Sequence, residues 1–335
     1  MTITATPAEV RPARRAARTA LLAIITLPAL VWAVVRLFGW ERGYFVPAIA
    51  FTPYVAAWSV IPLVISLWAR KWLIAAAAAV AFLVLAVCVL PRAVPDADRG
   101  PSRGMPMTVM TINMYVGAAD PASIVRLVRD NDVAVLAVQE FSPAAKDGLA
   151  AAGIDTLLPY QALADEVGTT GSGLYSRFPM TGQGSRRGGG GNLQEGNLQA
   201  YATIQPPGAV ALNVQSAHPL APYTLGALGD WRMDLRNEPH ANPRGTPEIL
   251  LGDFNSTLDH KPVRDLIGSG YRDAADATGK GLSATWGPWG GHKIPPVTLD
   301  HVLVDKRIGV RDVHAHAVTG SDHRALLASL TVPTS

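Results

Sequence analysis

Cysteine is nearly absent from this chain of 335 residues. Its single copy, Cys88, lies in an apolar run, which excludes a disulfide framework and a cysteine-based metal site. Charge is scarce as well. Asp, Glu, Lys and Arg make up 16% of the residues, against roughly 25% in an average soluble domain. Hydrophobic residues reach 49%, so the shortfall points to membrane segments diluting the charge. Basic residues are missing where a nucleic-acid surface would need them. Residues 1–103 carry 11 Lys+Arg against 4 Asp+Glu, a net of +7, whereas residues 104–335 carry 18 against 22, a net of −4. The C-terminal part therefore lacks the broad positive field that binding along a long phosphate backbone uses. No internal repeat is present.

A single core seldom grows much beyond about 250–300 residues, so this length suggests one core domain with an addition. The addition is N-terminal. Arg11-Pro12-Ala13-Arg14-Arg15-Ala16-Ala17-Arg18 leads directly into residues 21–38, an apolar run of about bilayer length. A cleaved signal peptide starts the same way, but its apolar core is usually about 7–15 residues and no further spans follow it. The run reads as a retained anchor. Residues 46–68 predict a second span, with Pro47, Pro53 and Pro62 tolerable where neighbouring helices satisfy the freed carbonyls. Residues 72–90, Ala-rich at the centre, predict a third. Four Arg precede the first span and Arg70-Lys71 separate the second from the third, while Arg42 beside Glu41 is the main cation between the first two. By the positive-inside rule the N-terminus is cytoplasmic, and three crossings leave all that follows on the extracytoplasmic side of the cell membrane. The expected organisation is a basic cytoplasmic N-terminus (1–20), a membrane domain of three transmembrane helices (21–90), a flexible linker (91–106) and a folded domain (107–332).

From residue 107 short apolar runs alternate with helical patterns, the mark of an α/β domain. Strands are expected at 107–112, ending at Asn113, and at 133–138, ending at Gln139-Glu140. Others follow at 173–176, 199–204 and 209–214, the last ending near His218. Ile249-Leu250-Leu251 runs into Gly252-Asp253-Phe254-Asn255, a polar pair placed where a buried strand opens into a loop. Residues 297–304 hold Asp300-His301, residues 310–318 hold His314 and His316, and Ser321-Asp322-His323 precede a last strand at 325–330. Asp120-Pro121 and Ser142-Pro143 are helix starts, and residues 224–238 and 261–267 read as helical. Residues 184–197, with Arg186-Arg187 and four consecutive Gly, read as a mobile loop, a solvated connection before a phosphate-gripping arm.

Collected, the polar residues at strand ends are Asn113, Glu140, His218, Asp253, Asn255, Asp300, Asp322 and His323. Each alone has a plain explanation as a turn or capping residue. Together they supply oxygen ligands for a hard cation such as Mg²⁺ and two imidazoles suited to proton transfer and to donating hydrogen bonds to phosphate. His301, adjacent to Asp300 on an alternating strand, points to the opposite face and has a structural role. His314 and His316 lack a third ligand and mark a half-exposed strand face.

Thr111-Ile112-Asn113, Gln139-Glu140, Ser176-Arg177-Phe178-Pro179, His218-Pro219, Gly252-Asp253-Phe254-Asn255, Leu299-Asp300-His301 and Ser321-Asp322-His323 resemble, in order and spacing, the endonuclease/exonuclease/phosphatase superfamily with the DNase I-like fold. The resemblance implies a four-layer α/β sandwich, two mixed β-sheets flanked by helices, with one site at the strand ends. It implies Mg²⁺, or Mn²⁺, held by Glu140 with Asn113 and Asp322. It further implies His323 as general base oriented by Asp300, Asp253 and Asn255 positioning water or phosphate, and His218 binding a phosphate oxygen. Tyr175 and Arg177 lie near the region where related nucleases contact phosphate. The expected function is a membrane-anchored, metal-dependent phosphoesterase acting on a phospholipid head group, a small phosphoester or nucleic acid. An extracytoplasmic nuclease is the alternative within that class, and a non-catalytic membrane scaffold the alternative outside it. No obligate protein partner is inferred.

Overall fold

The computed structural model describes residues 7–188, 196–291 and 293–335. The chain forms two compact units, Met1–Leu90 and Pro91–Ser335.

In the first unit α1 (Pro7–Phe38) is followed by three short helices, α2 (Phe45–Ile49), α3 (Thr52–Trp58) and α4 (Val60–Trp68), and then by α5 (Trp72–Val89). Two helices, not the expected three, are long and apolar enough to cross a membrane, Arg15–Phe38 and Trp72–Ala93. The middle segment is interrupted because Pro47, Pro53 and Pro62 each fall in the first turn of a short helix, where a missing N–H costs no helical hydrogen bond but the preceding turn must end. The interrupted segment packs back against α1. Trp32, late in α1, stacks edge-on against Phe45 and donates its Nε1–H to Thr52 Oγ1 at 2.9 Å, while Trp68 and Arg70 line a cleft with Arg15 and Arg18 at the start of α1. Ala29, Ala33, Ala56 and Ala81 pack with Leu85 and Val89, small residues that let helix backbones approach closely.

The second unit contains two six-stranded sheets. Its strands are β1 (Met105–Asn113), β2 (Val133–Gln139), β3 (Tyr160–Ala164), β4 (Ser172–Ser176), β5 (Met180–Arg187), β6 (Leu198–Ile204), β7 (Leu212–Ala217), β8 (Glu248–Asp253), β9 (Tyr271–Asp273), β10 (Asp300–Asp305), β11 (Gly309–Ala317) and β12 (Arg324–Val332). They are ordered β11-β12-β1-β2-β4-β3 and β5-β6-β7-β8-β10-β9. Each sheet is mixed, with β1 parallel to β2 and β7 parallel to β8 among antiparallel neighbours. The helices are α6 (Pro121–Asp130), α7 (Pro143–Ala151), α8 (Ile154–Leu157), α9 (Leu228–Asn237), α10 (Lys261–Gly268) and α11 (Ala274–Ala277). Asp120 caps α6 by accepting from the Ala122 and Ser123 amides, and Ser142 caps α7 by accepting from Ala145, as the two X-Pro starts predict.

Period-two alternation builds the layers. Val109 on β1, Val135 on β2, Val214 on β7, Ile249 and Leu251 on β8, and Val302 and Val304 on β10 join one core between the sheets. The alternate residues Met110, Ile112, Leu136 and Val138 pack outward with Ile124, Val125 and Val128 of α6 and Leu149 of α7. Both faces of the central strands are buried, which is why they read as continuous apolar runs.

Three expectations change. The strand expected at 209–214 lies at Leu212–Ala217, because Ala209 bridges Thr334 outside the sheet. Residues 184–187 are not loop but the end of β5, where Arg186 pairs with Glu238 at 2.6 Å and Arg187 with Glu166 at 2.9 Å; neither Arg is a free phosphate arm, and residues 189–195 of that segment lie outside the described residues. The flexible linker expected at 91–106 is instead part of the second unit. Arg92 makes a bidentate pair with Asp259 at 2.8 and 2.6 Å, Asp96 N–H donates to Ala277 O, and Pro95 bridges Thr278. The Arg92 and Asp259 side chains are 7% and 0% exposed, and removing one partner of such a buried pair typically costs about 3–5 kcal/mol. Arg92→Ala in a Pro91–Ser335 fragment should lower the free energy of urea unfolding by that order; a loss under about 1 kcal/mol would show the segment to be dispensable.

Candidate active site

The inner-face parity that builds the core also aims the polar residues. Counting in twos from Val109 reaches Asn113, from Val214 reaches His218, from Ile249 reaches Asp253, and from Val304 back reaches Asp300. All four therefore point between the sheets at the end where the apolar core stops. His301 has the opposite parity. It is buried outside that gap, with Nδ1 2.8 Å from Asp273 Oδ2 and Nε2 2.9 Å from Ser256 O, the structural role expected.

The contacts join both sheets. Asn113 Nδ2–H donates to Glu140 Oε1 at 3.1 Å and to Asp253 Oδ2 at 3.0 Å, while its Oδ1 accepts from Tyr115 N–H. Glu140 Oε2 accepts from Val116 N–H at 2.6 Å. His323 Nδ1 lies 2.8 Å from Asp300 Oδ2, and its Nε2 lies 3.7 Å from Asp253 Oδ2 and 4.0 Å from Asp322 Oδ1. Asp322 Oδ2 accepts from Trp286 Nε1–H at 2.9 Å. Ser321 Oγ donates to Asn113 O and accepts from His323 N–H, tying the Ser-Asp-His turn to the end of β1. Asn255 N–H donates to Asp253 Oδ1, and its side-chain amide donates to Pro219 O at 3.0 Å, so Asn255 holds the turn after His218.

Backbone strain concentrates at the same place. Glu140 and Asn255 have φ of 51° and 47°, a left-handed conformation that costs a non-glycine residue about 1–3 kcal/mol and is kept by the bonds just described. Gly252 is required by close approach. A Cβ there would lie 1.9 Å from Ala217 O on the paired strand β7.

Burial and charge oppose one another in the site. Burial pushes the Glu140 carboxyl up, against the Asn113 and Val116 hydrogen bonds that lower it. Burial also raises Asp253, with His323 pulling it down and Asp300 pushing it up. For His323 burial favours the neutral ring, but Asp300 and Asp253 outweigh it and hold the imidazole up to about 10. His218 goes the other way. Burial pushes it down to about 4, leaving it neutral at pH 7, and its buried Nδ1 has no hydrogen-bond partner among the described residues.

A metal ion fits this donor set. Asp253, Asp300 and His323 have ligand atoms within 4.8 Å of one another and could hold one. Glu140 and Asp322 add carboxylates, and burial, with Asp253 acting on Glu140 and Asp300 on Asp253, raises two of these acids and calls for a counter-charge beyond one imidazolium. The expected ligand Asn113 turns its N–H rather than its oxygen to Glu140 and Asp253, so in this arrangement it bridges the carboxylates.

The sequence profile of the Endonuclease/Exonuclease/phosphatase family matches residues 110–323. The chain belongs to this family. Solved structures agree on the fold. An endonuclease/exonuclease/phosphatase from Beutenbergia cavernae DSM 12333 is 18% identical with a TM-score of 0.53, over 69% of this chain and 72% of that one. A family protein from Leptotrichia buccalis C-1013-b is 15% identical with a TM-score of 0.52, over 67% and 99%. Humanized D. rerio TDP2 is 13% identical with a TM-score of 0.53, over 68% and 99%. At these identities the likeness concerns the fold alone. No curated protein sequence matches the chain. The family's own description joins nucleases with phosphatases, all of which cleave phosphate esters, and its profile ends at His323.

All eight strand-end residues expected from the sequence come to one end of the sandwich. Tyr175 and Arg177 do not join them. Tyr175 is buried against Phe141, and Arg177 pairs with Asp132 and bonds Val133 O at the opposite end of β2. His314 pairs with Asp312 on β11. Sequence reasoning missed Trp286, which holds Asp322 and tilts its ring beside His323, and Thr285, whose Oγ1 accepts from the Asp300 amide. A Thr-Trp pair opening the Gly/Pro-rich run Gly287-Pro288-Trp289-Gly290 was the available signal.

His218 makes folding pH-dependent. Its folded value near 4 lies below the usual 6.5, so the unfolded chain binds the extra proton between them, and the stability from keeping the ring neutral is present above about pH 6.5 and lost as pH falls toward 4. Urea unfolding from pH 7 to 4 should show a shallower loss in His218→Gln than in the wild type; identical slopes would contradict the assignment.

Proposed function

We propose that the chain is a membrane-anchored phosphoesterase that uses Mg²⁺, or Mn²⁺, to hydrolyse a phosphodiester or phosphomonoester. The observation that carries the reading is the His323–Asp300 pair facing Asp253 beneath Asn113 and Glu140, a proton-transfer group set against a carboxylate cluster. Asp300 fixes the imidazole so that Nε2 faces the gap toward Asp253; a cation offsetting the carboxylates that hold its extra proton would leave Nε2 free to take the proton of a water held between them as that water attacks phosphorus. Asp253, kept in place by Asn113 and by the Asn255 amide, orients that water. His218, neutral and with an unpartnered buried nitrogen, donates to a phosphoryl oxygen or accepts from a protonated one. Glu140 and Asp322 would hold the cation, leaving His323 of the Asp253–Asp300–His323 cluster for proton transfer, while Asn113 bridges Glu140 to Asp253; the cation's charge would offset the carboxylates and polarise the phosphoryl oxygen.

Three features support the membrane anchor. Two helices have the length and composition to span, large apolar side chains such as Ile24, Leu27, Leu73 and Val87 are exposed along the first unit, and α1, the interrupted segment and α5 make three passes along that unit. With the basic end cytoplasmic, three passes put the catalytic unit outside. The net charge of −4 over residues 104–335 favours a phospholipid head group or small phosphoester over long nucleic acid.

The test is turnover by Pro91–Ser335, with Mg²⁺ or chelator, on DNA, RNA, phosphocholine lipids and sugar or inositol phosphates. His323→Ala and Asp253→Ala should each cut kcat by about 10²–10⁴, and chelator should abolish activity. Activity surviving both substitutions would sink the mechanism, and the absence of turnover on every substrate would favour a binding module. Protease added to intact cells should degrade the catalytic unit; protection would reverse the orientation.

A further inference from the structure

The first unit has a built feature that the phosphoesterase chemistry does not use. Arg15 and Arg18, three apart on one face of α1, line a cleft of about 640 Å³ together with Arg70 and Lys71 from the turn between α4 and α5. Among the described residues no carboxylate pairs with any of the four. Glu41, the one acid between residues 10 and 95, follows the far end of α1.

The turn presents its cations by a specific geometry. Arg70 has φ 55°, the left-handed conformation that usually takes glycine at a helix end, and Lys71 N–H returns to Ser66 O at 2.9 Å while Arg70 N–H bonds Leu67 O at 3.0 Å. That closure places two consecutive cations at the mouth of the cleft. Its walls are apolar: Leu21, Leu22, Ile65 and Trp68 line it, and Trp68 is 87% exposed. Four unpaired cations above an apolar wall match one ligand chemistry, a phosphate joined to hydrocarbon. A soluble anion would leave the wall unused, and an acidic peptide would leave Trp68 and Ile65 facing charge.

We infer that the cleft between the start of α1 and the α4–α5 turn binds one anionic phospholipid, its phosphate among Arg15, Arg18, Arg70 and Lys71 and its chains along Leu21, Leu22, Ile65 and Trp68. The inference rests on the reading of this unit as membrane-embedded, and it places the lipid in the leaflet on the N-terminal side. The site joins α1 to the end of α4 and the α4–α5 turn through a ligand, so lipid of this class holds these elements together.

The test uses the purified full chain in neutral detergent with chelator, titrated with dioctanoyl phosphatidylglycerol, dioctanoyl phosphatidylcholine and inorganic phosphate, and read by native mass spectrometry and calorimetry. Phosphatidylglycerol should bind saturably, at least about tenfold tighter than phosphatidylcholine, and weaken as salt rises. At about fivefold per cation near an anionic head group, Arg15→Gln with Arg18→Gln, or Arg70→Gln with Lys71→Gln, should each weaken it at least about tenfold, while Arg42→Gln at the far end should not. Equal binding of the two lipids, no salt dependence in the wild type, undiminished binding by both double variants, or inorganic phosphate binding as tightly as lipid would each overturn the site. Carbonate washing of membranes separates the two readings. A chain that stays in the pellet without lipid preference refutes only the site, whereas release into the supernatant refutes the anchor and the site with it.

Discussion

Asn113 donates one N–H to a carboxylate on its own sheet and the other to a carboxylate on the facing sheet. The rest of the catalytic unit depends on that clamp. Two sheets packed face to face have no reason of their own to end in register, and the half-buried Glu140 and the buried Asp253, Asp300 and Asp322 at their common edge would repel. The amide satisfies Glu140 and Asp253 together. The Ser321 hydroxyl meanwhile fastens the turn that carries Asp322 and His323 to the Asn113 carbonyl. An apolar residue at 113 would pack as well as Thr111 does and would leave two carboxylates facing each other without a donor, a loss of the kind that costs more than a surface hydrogen bond is worth.

The two histidines of the site show how position within the gap decides protonation. His323 and His218 are both buried near Asp253, and burial acts on both in the same direction. His323 has Asp300 at hydrogen-bond distance and holds its proton. His218 has only Asp253 at 3.9 Å and loses it. One fold edge thus sets two imidazoles of opposite protonation on either side of Asp253.

The two units distribute their apolar residues differently. In the catalytic unit alternate apolar residues serve two cores, and charge is confined to edges and pairs. In the N-terminal unit many large apolar side chains face outward, small residues such as Ala29 and Ala81 face inward, and Arg15, Arg18, Arg70 and Lys71 gather at one end. The segment after Leu90 belongs to the second unit. Arg92 anchors it to Asp259, a few residues beyond the Asp253–Asn255 turn, so the chain leaving the N-terminal unit becomes part of the catalytic unit within two residues of its start.

Composition and periodicity by themselves determined the α/β class, the placement of the eight candidate residues near strand ends and the outward-facing parity of His301, because a period of two and a break in an apolar run are local properties. The same local signals led to three spanning helices and a loose linker. Pro47, Pro53 and Pro62 break the middle helix only when neighbours decide where each turn ends, and the Arg92–Asp259 pair joins residues 167 apart in sequence. Trp286, the turn of Asn113 toward Glu140 and Asp253, and the opposite protonation of His218 and His323 were likewise decided by tertiary structure. Each depends on distances across the gap between two sheets, and no linear pattern encodes those distances.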